Sequence, residues 1–334
     1  MRRFLVLVLL ALLLGCSPLL AQQLSIYAID TEGGKALLIV TPQHESLLVD
    51  TGWPFDARDA ERIAAAAKDA RVSKIDYLLI THYHIDHVGG VPWLLQRMPV
   101  AHLIDHGPTI EHDNQGEQLY AAYERATKSI PHISVKPGDT LPLKGMEIKV
   151  VSAAGVLLKN GAAEQPENPL CLGAVMKAPE NDENDQSIGI VLRFGKFRMV
   201  DLADLTWGKE RGLVCPANLL GQADVFMVSH HGLDRSNSPL LIETLRPRVA
   251  VMDNGALKGG SAAAVRTLRN SPGFEALWQL HSIRGGEANN PPEKFVANPE
   301  PNCAGYGIKL TAADDGGFTV TNQRNGYSVT YAAN

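Results

Sequence analysis

A regular exchange of strand-like and helix-like segments predicts the α/β class for this chain. Residues 23–30 (QLSIYAID) alternate apolar and polar side chains, the two-residue period of a half-buried strand. Residues 59–70 (DAERIAAAAKDA) are alanine-rich with acid at the start, which suits a helix by propensity and by its dipole. Residues 75–80 (IDYLLI) form an apolar run of strand length that leads into a histidine-rich turn. The composition, 45% hydrophobic and 20% charged over 334 residues, is that of a globular protein with a sizeable core.

Residues 1–21 read as a leader. Arg2 and Arg3 form a charged start, and residues 4–14 an apolar run too short for a bilayer and right for a secretory signal. Two exits compete. Leu13-Leu14-Gly15-Cys16 resembles a lipoprotein box, which would leave a lipid anchor on Cys16; Leu19-Leu20-Ala21 before Gln22 resembles an ordinary cleavage site. Either one places the mature chain in the periplasm or outside the cell. The net charge is −5, and −7 once Arg2 and Arg3 are gone. A protein that grips nucleic acid by its phosphates usually carries a basic excess, so the balance disfavours a dedicated nuclease. Cys171, Cys215 and Cys303 allow one disulfide and one free thiol, and their spacing does not choose the pair.

In the first half, residues 35–40 and 46–49 continue as strands around a Pro42 turn, ending in Asp50-Thr51-Gly52. The chemistry concentrates in residues 81–90 (THYHIDHVGG), between the strand at 75–80 and a helix at 91–95 with Pro92 in its first turn. Imidazole and carboxylate are the ligands that borderline divalent metals accept. His82 and His84, two apart in an extended turn, project to one side, while Asp86 and His87 start the helix and face a second point. That spacing suits two adjacent metals, His82 and His84 on one, Asp86 and His87 on the other. Gly89 and Gly90 keep the backbone slim where helix and sheet approach. His102, His106 and His112 share no ligand spacing and read as packing or solvent histidines, His106 on a cleft rim. Residues 116–127 read as a helix, and 140–143 and 146–152 as strands after a turn at 136–139. Residues 153–186 are irregular and rich in Pro, Gly and Asn, which suggests a lid or a surface insertion.

In the second half, residues 188–194 and 196–200 read as strands before Asp201-Leu202-Ala203-Asp204, and residues 223–228 as a strand ending in Ser229-His230-His231-Gly232. Residues 246–252 make the next strand, 262–270 a helix, and 305–332 two or three final strands.

His-x-His-x-Asp-His after an apolar strand resembles the signature of the metallo-β-lactamase superfamily of binuclear metallohydrolases. The blocks at 183–204 and 223–238 are similar to the branch that includes the C-terminal hydrolase domain of ComEC-type DNA-uptake proteins. The resemblance runs from about residue 24 to 320. It implies one domain over 22–334, a four-layer αβ/βα sandwich of two mixed sheets with helices outside, and hydrolysis by a metal-bridging hydroxide. It places Asp204 as the carboxylate shared by two metals, although Ala203 stands where the family has Gly. His230 falls on the last ligand of the second metal, and His231 on a catalytic contact with the leaving group or a position behind the ligands. Asp86 is both ligand and aim for the nucleophile. Asp50 would orient the ligands by hydrogen bonds, a turn cap being its other reading. The third histidine of many members is missing between His132 and His230; Asn184 and Asp185 stand in that region as ligands, water-positioning groups or caps. That gap disfavours β-lactam hydrolysis, and lactonase activity is likewise secondary. The implied cofactors are two divalent ions, zinc first, with manganese or iron as alternatives. The implied substrate is a phosphodiester or other ester, nucleic acid being disfavoured by charge. An exported protein that keeps the fold and binds metal or ligand without turnover is the alternative.

Overall fold

A computed structural model describes residues 23–159, 166–300 and 303–333; the predicted leader, with Cys16 and Ala21, lies outside them. Seventeen strands form two sheets. The first half supplies β1 (Leu24–Ala28), β2 (Leu37–Val40), β3 (Ser46–Val49), β4 (Ile75–Leu79), β5 (Val100–Asp105) and β6 (His132–Ser134). The second supplies β7 (Glu147–Ala153), β8 (Val156–Leu157), β9 (Gly189–Phe194), β10 (Phe197–Asp201), β11 (Val225–Met227), β12 (Val249–Met252), β13 (Ala276–His281) and β14 (Val296–Asn298). The last strands, β15 (Ile308–Ala312), β16 (Phe318–Asn322) and β17 (Ser328–Tyr331), return to the first sheet, which runs β17-β16-β15-β1-β2-β3-β4-β5-β6. The other sheet runs β14-β13-β12-β11-β10-β9-β7-β8. Strands β3 to β6 are parallel neighbours, as are β10 to β14.

The two-residue period of the strands decides the layering. On β1 and β2, Leu24, Ile26, Leu37 and Ile39 face the core between the sheets, where Met199, Val251 and Trp278 meet them from the other side. Tyr27, Leu38 and Val40 point the opposite way, under α1 (Arg58–Asp69), α2 (Ile85–Val88), α3 (Val91–Leu94) and α4 (Asn114–Thr127). Val200, Ala250 and Met252 do the same on the second sheet, under α5 (Trp207–Val214), α6 (Pro239–Leu245) and α7 (Ala262–Arg269). Three apolar clusters between four layers make an αβ/βα sandwich.

The expected strand at 140–143 is reduced to one bridge, Thr140 to Lys149. Strands β5, β6, β13 and β14 had no clear signal: they are short, or broken by polar residues such as His102 and Gln279. The disulfide is Cys171–Cys215, with Cys303 free among the described residues. It ties the irregular segment to the C-terminal end of α5. Asn168 adds bonds from Nδ2 to the Val214 carbonyl (3.0 Å) and the Thr244 hydroxyl (2.9 Å). Residues 166–172 are thus pinned against α5 and α6.

Glu210, fully buried on α5, accepts the backbone N–H groups of Asn237 (2.6 Å) and Ser238 (2.8 Å) and so anchors the start of α6. Burial pushes its carboxyl up from 4.5 to about 7, against the pull of those bonds. Its contribution to stability is therefore full below its unfolded value near 4.5 and is lost as pH rises through about 7. Denaturant unfolding on either side of that value should show the decline in the parent and a flatter profile in Glu210→Gln; equal slopes would contradict the assignment.

Candidate metal centre

The ends of parallel strands from both sheets meet at one edge. Asp50 follows β3, His82 to His87 follow β4, Asp204 follows β10, and His230 and His231 follow β11. Open α/β sheets gather their functional loops at such carboxyl ends. Gly89 and Gly90 let the turn lie against residues 51–54: a Cβ on Gly90 would fall 2.1 Å from the Thr51 carbonyl oxygen. Glu183 fixes the other flank. Its buried carboxylate accepts from the Tyr83 amide (3.2 Å), His106 Nε2 (3.1 Å), Thr109 and Ile110. His106 is accordingly a buried partner of Glu183, not a rim residue.

Four imidazoles converge on one buried carboxylate oxygen. Asp204 Oδ2 lies 3.3 Å from His87 Nε2, 3.4 Å from His230 Nε2, 3.7 Å from His231 Nε2 and 3.9 Å from His82 Nε2. Asp86 Oδ2 lies 3.1 Å from His231 Nε2 and 3.5 Å from His87 Nε2. Two overlapping groups could hold a cation, His82–His87–Asp204 and Asp86–His87–His231. His84 sits outside both, yet its Nδ1 is 3.0 Å from His82 Nε2, and its Nε2 meets Glu111 at 3.2 Å.

Several expectations shift here. His87 lies between the two groups instead of beside Asp86 alone. His231 is buried within the cluster, its Nδ1 toward Asp253 and its Nε2 toward Asp86 and Asp204. Asp185 accepts the Thr206 hydroxyl (2.6 Å) and the Asn181 amide, so it braces the Asp204 loop. Asn184 donates to Asp182, and its Oδ1 is buried without a partner among the described residues. Asp50 accepts the Thr81 amide (2.8 Å), the Thr81 hydroxyl (2.7 Å) and His87 Nδ1 (2.8 Å), which fixes the ring that points at Asp204.

Backbone strain gathers at the same point. Asp50, Ala203, His230 and His231 all have φ between 48° and 61°. Such residues cost on the order of 1–3 kcal/mol each and persist where the surroundings over-determine them. The left-handed Ala203 explains why glycine would be at ease before Asp204.

The charges are arranged to attract positive charge. Burial opposes ionisation of Asp204, but His230, His87 and His231 outweigh it and hold the carboxyl well below its ordinary range. Asp86 behaves alike, through His87, His231 and Lys258. Burial, then the neighbouring His87 and His84, keep His82 well below the ordinary imidazole value, and burial lowers His230. Burial would also lower His87, yet Asp204, Asp86 and Asp50 drive it well above. Both His87 Nε2 and His231 Nε2 are buried with no hydrogen-bond partner among the described residues. Lone imidazole nitrogens aimed at shared carboxylates fit a cation better than they fit each other.

Three residues had no sequence signal: Lys35 comes from the loop before β2, and Asp253 and Lys258 from the loop after β12, far from the histidine turn in sequence. Lys258 ion-pairs with Asp86 and stacks its ammonium 5.0 Å from the Trp53 ring. Asp253 backs His231. Lys35, buried before β2, reaches Asp201 (3.0 Å) and Asp253 (3.5 Å) across the two sheets. Its ammonium is held above the ordinary value: burial works against the charge, but Asp201, Asp253 and Asp50 prevail.

The fold and the clusters define an αβ/βα protein with His/Asp groups able to hold a metal ion at one edge. Residues 29–156 match the family model described as the metallo-beta-lactamase superfamily. It is 25% identical over 289 residues to ComE operon protein 3 of Bacillus subtilis (strain 168), covering 81% of this chain and 33% of that protein. A shorter stretch of 83 residues is 34% identical to hydroxyacylglutathione hydrolase of Prochlorococcus marinus (strain MIT 9312), 24% of this chain and 27% of that one. The chain thus spans about a third or less of these relatives. Among solved structures, the metallo-beta-lactamase fold protein YhfI from Bacillus subtilis aligns with a TM-score of 0.48 at 12% identity, over 77% of this chain and 96% of that one. Most members of this superfamily are metal-dependent hydrolases.

Lys35→Met would leave Asp201 and Asp253 buried without their cation. It should cost about 3–5 kcal/mol in denaturant unfolding, and a cost under about 1 kcal/mol would remove Lys35 from its bracing role. Asp50→Ala should weaken metal binding by about 10–100-fold through a loosened His87 ring; unchanged affinity in a competition titration would show that Asp50 only caps its turn.

Proposed function

We propose that the protein is an exported hydrolase that uses two divalent cations, zinc first among them, to cleave a phosphodiester or another ester. The observation that carries the reading is the convergence of four imidazole nitrogens on Asp204, two of them buried with no hydrogen-bond partner among the described residues. His82, His84 and His230 would hold one cation, Asp86, His87 and His231 the other, with Asp204 between them. When bound, such ions lower the pKa of water toward neutrality and polarise an electrophilic oxygen.

The chain's own groups do the rest. Asp50 and Asp253 orient His87 and His231 from behind. Asp86 borders the cleft, and its ionised carboxylate can accept a hydrogen bond from the nucleophile and keep it aimed. Lys258, beside it, supplies a positive group for an anionic oxygen. A cleft of about 190 Å³ opens on His84 and Asp86, walled by Tyr83, Ile85, Glu111 and Leu119. Glu111 and Asp113 on that wall repel a long polyanion, which favours a small substrate over polymeric nucleic acid. Phe55 and Leu257, both largely exposed near Trp53 and Lys258, would favour an apolar leaving group. Export accords with the leader and with the Cys171–Cys215 disulfide, which oxidising compartments permit. Among the described residues no helix is long and apolar enough to cross a membrane.

Turnover of bis-p-nitrophenyl phosphate and p-nitrophenyl esters, with zinc or manganese added, tests the reading. Chelation should abolish it and re-addition restore it, and His84→Ala should lose about 100-fold or more together with metal. Well-metallated protein that turns over no ester, phosphoester or lactam in a broad panel would favour a binding protein instead.

A further inference from the structure

A second set of ligand-type side chains lies on the far side of the loop that leads from β1 to Lys35. Asp30 follows β1, His281 ends β13, and Cys303 begins the approach to β15. Asp30 and His281 are buried; Cys303 is half-exposed. His281 Nε2 lies 2.7 Å from Asp30 Oδ1 and 4.0 Å from Cys303 Sγ, and Sγ lies 3.2 Å from Asp30 Oδ2. Glu32 Oε1, on the open side, is 3.9 Å from Sγ. None of these residues belongs to the Asp204 cluster.

We propose that Asp30, His281 and Cys303, with Glu32 closing the open side, form a separate site for one thiophilic divalent cation of the zinc type. The mixed sulfur, nitrogen and oxygen set is one that zinc and its neighbours accept in tetrahedral geometry. Bond lengths of about 2.0–2.3 Å put tetrahedral donors roughly 3.3–3.5 Å apart. The observed separations of 2.7, 3.2 and 4.0 Å bracket that range. Small side-chain shifts suffice, and Glu32 and Cys303 lie on the side open to solvent.

The surroundings hold these side chains in place. Arg62 Nη1 donates to the Asp30 carbonyl (3.1 Å) and to Asp30 Oδ2 (2.9 Å), and its Nη2 donates to Glu32 Oε1 (3.2 Å), so both carboxylates are already ordered. Asn254 Nδ2 donates to the His281 carbonyl (2.8 Å) and steadies the ring's backbone. Arg62 Nη2 also lies 3.5 Å from Cys303 Sγ, and Arg58 Nη1 lies 3.0 Å from Glu32 Oε2, so both carboxylates are held by cations. The loop between this site and the Asp204 cluster is tightly packed: a Cβ on Gly33 would lie 3.0 Å from the Gly255 amide nitrogen and 3.1 Å from Lys258 Cβ. Occupancy here would therefore stiffen the loop on which Lys258 leans.

Cobalt titration of the chelator-stripped, full-length protein separates this site from the other, because none of the side chains around Asp204 is a thiol. The expected result is a sulfur-to-cobalt charge-transfer band in the near ultraviolet that saturates at one equivalent. Cys303→Ser should lose the band and one equivalent of bound cobalt while its ester turnover stays within about twofold. His281→Gln should also lose the band while Cys303 remains titratable by a thiol reagent, which guards against a simple folding defect. His82→Ala should keep it, whatever becomes of hydrolysis. Cobalt binding with no such band in the parent, or equal stoichiometry in parent and Cys303→Ser, would overturn the proposal.

Discussion

The Asp204 carboxylate, buried at the junction of the two sheets and faced by four imidazoles, is the constraint around which this structure is arranged. A buried carboxylate needs compensation, and the surrounding imidazoles, two of whose nitrogens have no hydrogen-bond partner among the described residues, supply only part of it. Burial, charge and orientation all select for positive charge at this one point. The loops after β4, β10 and β11 must each end at the right height for that meeting to occur, and each is strained or braced to do so. The left-handed turns at Ala203, His230 and His231 aim the side chains, and Asp50, Asp185 and Glu183 hold the loops from behind.

Beneath the cluster, Lys35 joins the sheets electrostatically. It reaches Asp201 and Asp253 at the ends of β10 and β12 from the start of β2, and Asp253 in turn backs His231. The apolar core sets the sandwich but not the fine height of one sheet's loops against the other's. A buried ion pair is a poor source of net stability but a good source of specificity of position, and here the position serves the site. The second group, at Asp30, His281 and Cys303, again draws on both sheets at this edge. The edge gathers polar chemistry while the three apolar clusters carry the packing.

Much of this was legible in the sequence where the signal is local. The histidine turn is contiguous, follows an apolar strand and declares its ligands by spacing alone. The longer helices followed from propensity, and the strands up to β4 from their period. Asp204 and His230 were legible only through resemblance, since no spacing links them to His82 over more than a hundred residues. Lys35, Asp253, Lys258 and Glu111 were not legible: they are isolated polar residues in three loops, and only the tertiary fold brings them together. The contacts of His231 were not legible, because sequence gives the order of residues after β11 but not the left-handed backbone at His230 and His231. The pairing of Cys171 with Cys215 needed the same three-dimensional information. The anchor of the irregular segment, that same disulfide, likewise left no local signal in the sequence.

Anomalous diffraction from crystals grown with zinc, collected on either side of the metal edge, tests the central claim most directly. The account predicts two peaks flanking Asp204, one within bonding reach of His82 and His230 and one within reach of Asp86 and His231. Metal-saturated crystals with no peak at bonding distance from Asp204 would contradict it.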